Sequence, residues 1–508
     1  MKKIFPVLLG ALVIFYWYVF MRFVPPPPLA VSRETTYFTD LTEKNGRYNL
    51  ASSLNALYHL PPEENGAIEF LRIYGTDIVS TDSADIAEFC RLVGIEPALL
   101  ATPTLIMPLP DFASDTFVMN SAGERHDVFR RPWQAEEFPQ IAALIEANAD
   151  TFALLASLSS KSGFYWPRLE RYTTLQMPMS RDFMPNKPMS LLLARGMLYL
   201  HAADFKRAWE DFVCVGKAAR PLLQSDILIY GLFGVVGIKN AADAMSHLLL
   251  QKNLEEEFLL QMLADLDEII MEKGLERAVE QEVRFFQLSV YLESNDSLMD
   301  KTSLGGGSSD NDYDRYIDKN VFCRKVNLLA DKVMQVCNLE KVSERIAALN
   351  KLQTDQKQIR PDASVTKMMT KLLWIKYLTP SKQKCSAISE IISEILLDIS
   401  SPGYTGLLIE LLSVSEKLRL LKVAVLIRLH RIRTGNYPSS LEELDLVDKQ
   451  MLIDSFSGKN FKFRSEGNNI LVYSVGADQQ DNLGAPGGQV ESEEEPTVSD
   501  ITIQIIKF

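Results

Sequence analysis

Five histidines, at 59, 126, 201, 247 and 430, are the side chains best suited to hold a metal or shuttle a proton. No two of them stand in an H-E-x-x-H or comparable ligand spacing, so ordinary surface or core roles are expected. Five cysteines (Cys90, Cys214, Cys323, Cys337, Cys385) form no C-x-x-C pair, which removes zinc-ribbon and thioredoxin-type chemistry. Cys323 and Cys337 are the closest pair. On one helix their spacing is about 21 Å, too far for a disulfide, so buried free thiols are expected. There is no Walker loop, no G-x-S-x-G and no G-x-G-x-x-G. Gly305–Gly307 lacks the following Lys-Ser/Thr and belongs to a linker rather than a phosphate cradle. Phe164-Tyr-Trp-Pro-Arg168, with Arg171 and Tyr172, mixes aromatic and basic groups. It could stack on sugars or lipids if exposed, but aromatics at this density more often build a core.

The elements that must position these residues belong to a chain of 508 residues, enough for two or three domains. Apolar residues make up 47%, which supplies a sizeable core. Net charge is −13, with no basic block longer than two residues, so nucleic acid is not an expected partner.

Residues 4–21, IFPVLLGALVIFYWYVFM, carry no charge. At about 1.5 Å per residue the run reaches roughly 27 Å, and Phe23 and Val24 bring it close to a ~30 Å hydrocarbon core. Lys2 and Lys3 precede it, which predicts a cytoplasmic N-terminus and a translocated bulk. A cleaved signal peptide is the rival reading. Its apolar core is usually about 7–15 residues and ends in small residues, whereas this run ends in Tyr18, Val19, Phe20, Met21 and Arg22. The nearest small-residue site is near Ala30, beyond Pro25–Pro28, and no lipid-accepting cysteine follows the run. The expectation is a retained single-pass anchor over 1–24 in the cytoplasmic membrane, with the rest periplasmic. A stiff Pro-rich stem follows over 25–32.

A helical and irregular region over 33–135 follows, with helices at Asn49–Tyr58 and Glu63–Tyr74 and irregular chain over 97–140. Ile68, Leu71 and Ile73 are candidate core. A helical body spans 136–403. Its clearest stripe, at 254, 258, 259, 262, 263, 266, 269 and 270, has a 3.6-residue period and should break at Gly274. Residues 303–312 read as a flexible linker. Gly196, Tyr199, Ala208, Phe212 and Pro221 resemble one tetratricopeptide unit. No second copy follows, so an ordinary helical hairpin is expected. In the last 75 residues Gly435-Asn436 ends a long helix, and Ser440-Leu-Glu-Glu443 is a capping-box sequence. Phe461–Arg464, Ile470–Val475 and Ile501–Ile506 read as three strands. The fold class is therefore mainly α: a transmembrane helix, a large helical body, and over 404–508 a small α+β module with a three-stranded antiparallel sheet.

The module's order is Thr434-Gly-Asn-Tyr-Pro438, Ser440-Leu-Glu-Glu-Leu444, Asp454-Ser-Phe-Ser-Gly458, Tyr473-Ser-Val-Gly-Ala-Asp478 and Asp500-Ile501. It resembles the C-terminal half of the major pseudopilins of type II secretion. The resemblance implies a calcium-binding final loop, with Asp478 and Asp500 as carboxylate ligands and Asp481 as a third. Oxygen ligands on such a loop suit a hard cation. The sequence departs from that pattern at Gln479, in a 21-residue loop with an acidic cluster at Glu491–Glu495, and in lacking the prepilin processing site. It is also similar, loosely over its whole length, to large uncharacterised membrane-anchored proteins of planctomycete-type bacteria. The expected function is a membrane-anchored extracytoplasmic scaffold with an envelope protein partner and a calcium-stabilised module. The alternative is an envelope hydrolase whose carboxylates meet in the helical body.

Overall fold

In the computed structural model the described residues are 10, 12–41, 43–44, 47–100, 103–106, 118–119, 125–126, 128–172, 183–271, 273–293, 316–359, 365–400, 402–444, 449–484 and 500–507. The expected linker at 303–312 and the acidic cluster at 491–495 lie outside them.

The chain is mostly helical, with a small sheet near its C-terminus. Helix α1 is Leu12–Met21, and its last five residues are π-helical. Ten residues give about 15 Å, half a hydrocarbon core. A complete N-terminal span is therefore not supported by the described residues. The one described helix long and apolar enough to cross a membrane is Leu228–Leu249, but it packs into the body as a core helix.

The N-terminal region contains α2 (Ala51–Tyr58), α3 (Ala67–Tyr74) and α4 (Ser83–Val93). Ile68, Leu71 and Ile73 are buried, as their spacing predicts. Asp82 caps α4 by accepting from Ala84 N at 2.8 Å, and Gly94 closes it in the left-handed region at φ 75°. Then come α5 (Pro139–Ala147) and α6 (Ala149–Leu158).

The body is built on α7 (Asn186–His201), α8 (Phe205–Leu223), α9 (Leu228–Leu249) and α10 (Glu256–Ile269). The hairpin of α7 and α8 closes where the sequence places its small residue. A Cβ on Gly196 would lie 2.4 Å from Phe212 Cε1, so glycine is needed for the two helices to approach. In α10, Leu259, Met262, Leu266 and Ile269 are buried, and Gly274 follows in an extended left-handed conformation at φ 152°. Residues 276–292 then form α11, whose centre, Gln281–Phe286, is π-helical.

Four more helices follow: α12 (Lys319–Cys337), α13 (Val342–Ile359), α14 (Val365–Leu378) and α15 (Ser381–Ser400). Helix α16, Pro402–Thr434, is 33 residues long and belongs to both halves of the molecule. It packs on α9 and α10 and also on the terminal sheet. That sheet is β1 (Lys462–Glu466), β2 (Asn469–Ser474) and β3 (Ile501–Ile506), antiparallel in the order 1-2-3. Gly435, at φ 82°, ends α16 as expected. The capping box takes a different form. Leu441–Glu443 is a single 3-10 turn, and Ser440 makes no side-chain cap. Instead Glu443 accepts from Ser439 N at 2.9 Å and from Ser439 Oγ.

The Pro-rich stem has neither helix nor strand and does not stand away from the body. Asn320 on α12 donates to Pro28 O (3.0 Å) and accepts from Ala30 N (2.8 Å). Asn327 donates to Glu34 O and Thr35 O.

Candidate functional site

The aromatic-basic stretch at 164–168 is buried, not displayed. Phe164, Tyr165 and Trp166 are each 1% exposed. The segment runs through the core, and two buried asparagines pair with the backbone of Tyr165 and Arg168. Asn65 accepts from Tyr165 N (2.9 Å) and donates to Tyr165 O (3.0 Å). Asn55 does the same for Arg168, at 2.8 Å in each direction. Buried peptide groups need such partners, and the two side-chain amides supply them.

Arg168 then reaches Asp226, in the turn between α8 and α9, at 2.5 Å; the two side chains are 3% and 1% exposed. The hydroxyls of Tyr58, Tyr165 and Tyr230 are buried without a hydrogen-bond partner among the described residues. Burial first, and the charge of Asp226 second, push all three phenols far above their usual range. They stay protonated and cannot serve as bases. This enclosed knot joins α2, residues 164–169 and the α8–α9 turn. Arg171 and Tyr172 lie at its edge and bind Asp85, with Arg171 also on Asp82 at 2.8 Å.

An open cleft of about 390 Å³ lies between the segment just after the stem and the π-helical turn of α11, lined by Arg33, Tyr37, Glu280, Arg284, Asp331, Met334 and Asn338. The wide turn carries Arg284, which donates to Glu280 (3.0 Å), Asn327 (2.9 Å) and Asp331 (2.6 Å). Its guanidinium lies 4.4 Å from the Tyr37 ring centre, and that of Arg33 lies 3.6 Å from it. Tyr37 takes φ 66°, a left-handed backbone rare outside glycine and asparagine. The cleft is polar and balanced in charge, which suits binding more than proton transfer. Sequence inspection missed it, because its residues are drawn from segments some 300 positions apart and share no motif.

In the terminal module each of the three expected metal ligands has a partner of its own. Asp478 accepts from Gln480 N at 3.0 Å, closing its own turn. Asp481 accepts from Leu483 N and Tyr473 OH and pairs with Lys462 at 3.2 Å. Asp500 is buried and accepts from Gly484 N at 2.7 Å, while its Oδ1 has no partner among the described residues. Among the described residues no three His, Cys, Asp or Glu side chains form a group that could hold a metal ion.

The residue that organises this module is Asp454. Its Oδ1 accepts from Phe456 N (3.0 Å) and Ser474 Oγ (2.8 Å), and its Oδ2 from Ser457 Oγ (2.8 Å) and Val475 N (3.3 Å). The next residue, Ser455, is held from α16: Glu416 accepts from Ser455 N at 2.8 Å and from Arg419 at 2.8 Å. Burial pushes the Glu416 carboxyl up to about 7, against the opposing pull of Arg419. Asp454 stands in the Asp-Ser-Phe-Ser-Gly turn legible in the sequence. Glu416 sits in a long helix and carries no local signal.

The five cysteines are free, and burial raises every one of their thiols. Cys323 and Cys337 lie on the single helix α12. His247 is half-buried, with its pKa lowered by burial, and no histidine belongs to a metal group among the described residues.

No family model matches the chain, and none of the curated proteins or solved structures compared with it does either.

Proposed function

We propose that this chain is a membrane-anchored extracytoplasmic protein whose helical body acts as a scaffold or binding surface for an envelope partner. One observation carries the anchor. The apolar residues of α1 do not fold into the core: Ile14 is 70% exposed, and Leu12, Val13, Phe15, Trp17 and Tyr18 are exposed with it. An uncharged helix that is apolar all round, behind Lys2 and Lys3, suits lipid rather than water. Residues 4–24 together have the length for a span.

The binding role rests on the polar cleft at Arg284 and on the enclosed state of the core polar knot. A hydrolase would need a carboxylate free to take up or give up a proton, as the alternative reading requires. In the cleft Glu280 and Asp331 both accept from Arg284, which favours binding over hydrolysis. The terminal module belongs to this reading as a pseudopilin-like peripheral unit.

The test is fractionation of cells carrying the full chain. The protein should remain in membranes through salt and carbonate washing, and protease added outside the cytoplasmic membrane should remove the bulk. Release of a soluble species beginning near residue 31, or a bulk that is protected from the protease, overturns the reading.

A further inference from the structure

We propose that α14 is a second membrane contact, lying in the bilayer interface beside α1 with its lysines on anionic lipid headgroups. The proposal rests on the anchor reading above and deepens it.

Three observations converge on this helix. The first is exposure. Leu373, Trp374, Tyr377 and Leu378 are all exposed, Trp374 at 63%. At 100° per residue these four share one face, and Leu372 on the opposite face is buried against the body. The second is charge. Residues 365–384 contain five lysines and no Asp or Glu, in a chain of net charge −13; Lys371 and Lys382 are exposed, while Lys384 is buried against the end of α1. A helix with an apolar aromatic face and basic flanks lies in a membrane interface, and each lysine near an anionic surface adds to its attraction.

The third is position. Helix α14 and the start of α15 are fastened to the end of α1, where Trp17 and Tyr18 sit. Tyr16 OH donates to Tyr377 O at 3.0 Å. Lys384 Nζ donates to both Phe20 O and Lys376 O, and Cys385 Sγ to Val24 O at 3.3 Å. The aromatic face of α14 therefore continues the exposed apolar surface of α1 at the level where an anchor leaves the lipid. Trp and Tyr favour that depth. Because the stem is fastened to α12 by Asn320, the body cannot swing clear of the membrane. The surface is thus continuous with α1 and complementary in charge to anionic headgroups, and lipid is its occupant.

The experiment uses the full chain in vesicles of phosphatidylethanolamine and phosphatidylglycerol, spin-labelled at one introduced cysteine at a time: Ile14→Cys, Trp374→Cys, Leu378→Cys, or Leu483→Cys as an exposed control in the terminal module. Labelled wild type gives the background from the native thiols. Collision with oxygen reports lipid, and collision with a water-soluble nickel complex reports solvent. Labels at 14, 374 and 378 should show several-fold lower nickel collision than the label at 483. Lys371→Glu with Lys382→Glu, or vesicles of phosphatidylcholine alone, should raise nickel collision at 374 and 378 but not at 14.

If 374 and 378 meet nickel freely while 14 is protected, the α14 proposal falls and the anchor stands. If 14 also meets nickel freely, both fall. Protection at 374 and 378 from oxygen and nickel alike, with spin–spin broadening between molecules, assigns the face to a second copy and overturns the lipid proposal. Protection unchanged by the lysine substitutions overturns the headgroup contact.

Discussion

The ring of Phe212 occupies the space where a side chain at Gly196 would begin, with its Cε1 2.4 Å from the Cβ position. Both residues are buried between α7 and α8, and no flexible end is available to yield. Gly196→Ala should therefore destabilise the protein by about 1–3 kcal/mol through overpacking. Adding Phe212→Leu should recover part of the loss. Chemical denaturation of the two variants measures it; a Gly196→Ala protein as stable as wild type would refute the close approach.

Arg168 and Asp226 form a buried pair, and the stability of each depends on the other. Removing one partner leaves an uncompensated charge, so Asp226→Asn or Arg168→Met alone should cost about 3–5 kcal/mol. The double variant should lose much less than the sum of the two. Tyr58→Phe should be neutral or slightly stabilising, because the hydroxyl it removes has no partner among the described residues. A double-mutant cycle by denaturation reads the coupling directly; additive losses would mean the two charges do not interact.

Glu416 gives the molecule a pH dependence of a definite sign. Its folded pKa, raised to about 7, lies above the ordinary carboxylate value, so the folded state holds the proton more tightly than the unfolded state does. Its contribution is fully present below about pH 4.5 and is lost as pH rises through about 7, by up to roughly 3 kcal/mol. Glu416→Gln keeps an acceptor for Ser455 N and should flatten the stability profile between pH 5 and 7.5. A profile of unchanged slope in that variant would assign the dependence to another group.

Asp500 buries a carboxylate with one oxygen unpartnered among the described residues. Asp500→Asn keeps the acceptor for Gly484 N and removes the charge. In chelator the variant should melt at or above the wild-type temperature, and millimolar calcium should shift neither protein. A rise on adding calcium, confined to wild type, would restore the cation implied by the pseudopilin resemblance, since a ligand held only by the folded state raises its stability.

Local patterns in the sequence proved dependable wherever one element decides the outcome. The α10 stripe, the Gly435 stop, the Gly196–Phe212 hairpin and the three terminal strands all depend on period, turn chemistry or a steric need. The buried fate of Phe164–Arg168 follows from its aromatic density. The cleft at Arg284 could not be read, because Arg33, Tyr37, Arg284 and Asp331 meet only through tertiary packing. The capping box failed for a related reason: Glu443 had two nearby partners and bonded Ser439. Asp478, Asp481 and Asp500 share a motif order, and the sequence does not show that each is engaged by a turn amide and Asp481 also by Lys462.

The asparagine clamps also bear on how the chain comes together in time. Helices α2 and α3 bury themselves against residues 164–169, about a hundred positions later, and the stem and the residues just after it are held by Asn320 and Asn327, about 290 positions later. A chain emerging N-terminus first would present its opening helices, half-covered, until those later segments arrive. Closing loops of that length is slow on the scale of local helix formation. A polypeptide stopped before residue 316 would lack both asparagines that hold residues 28–35.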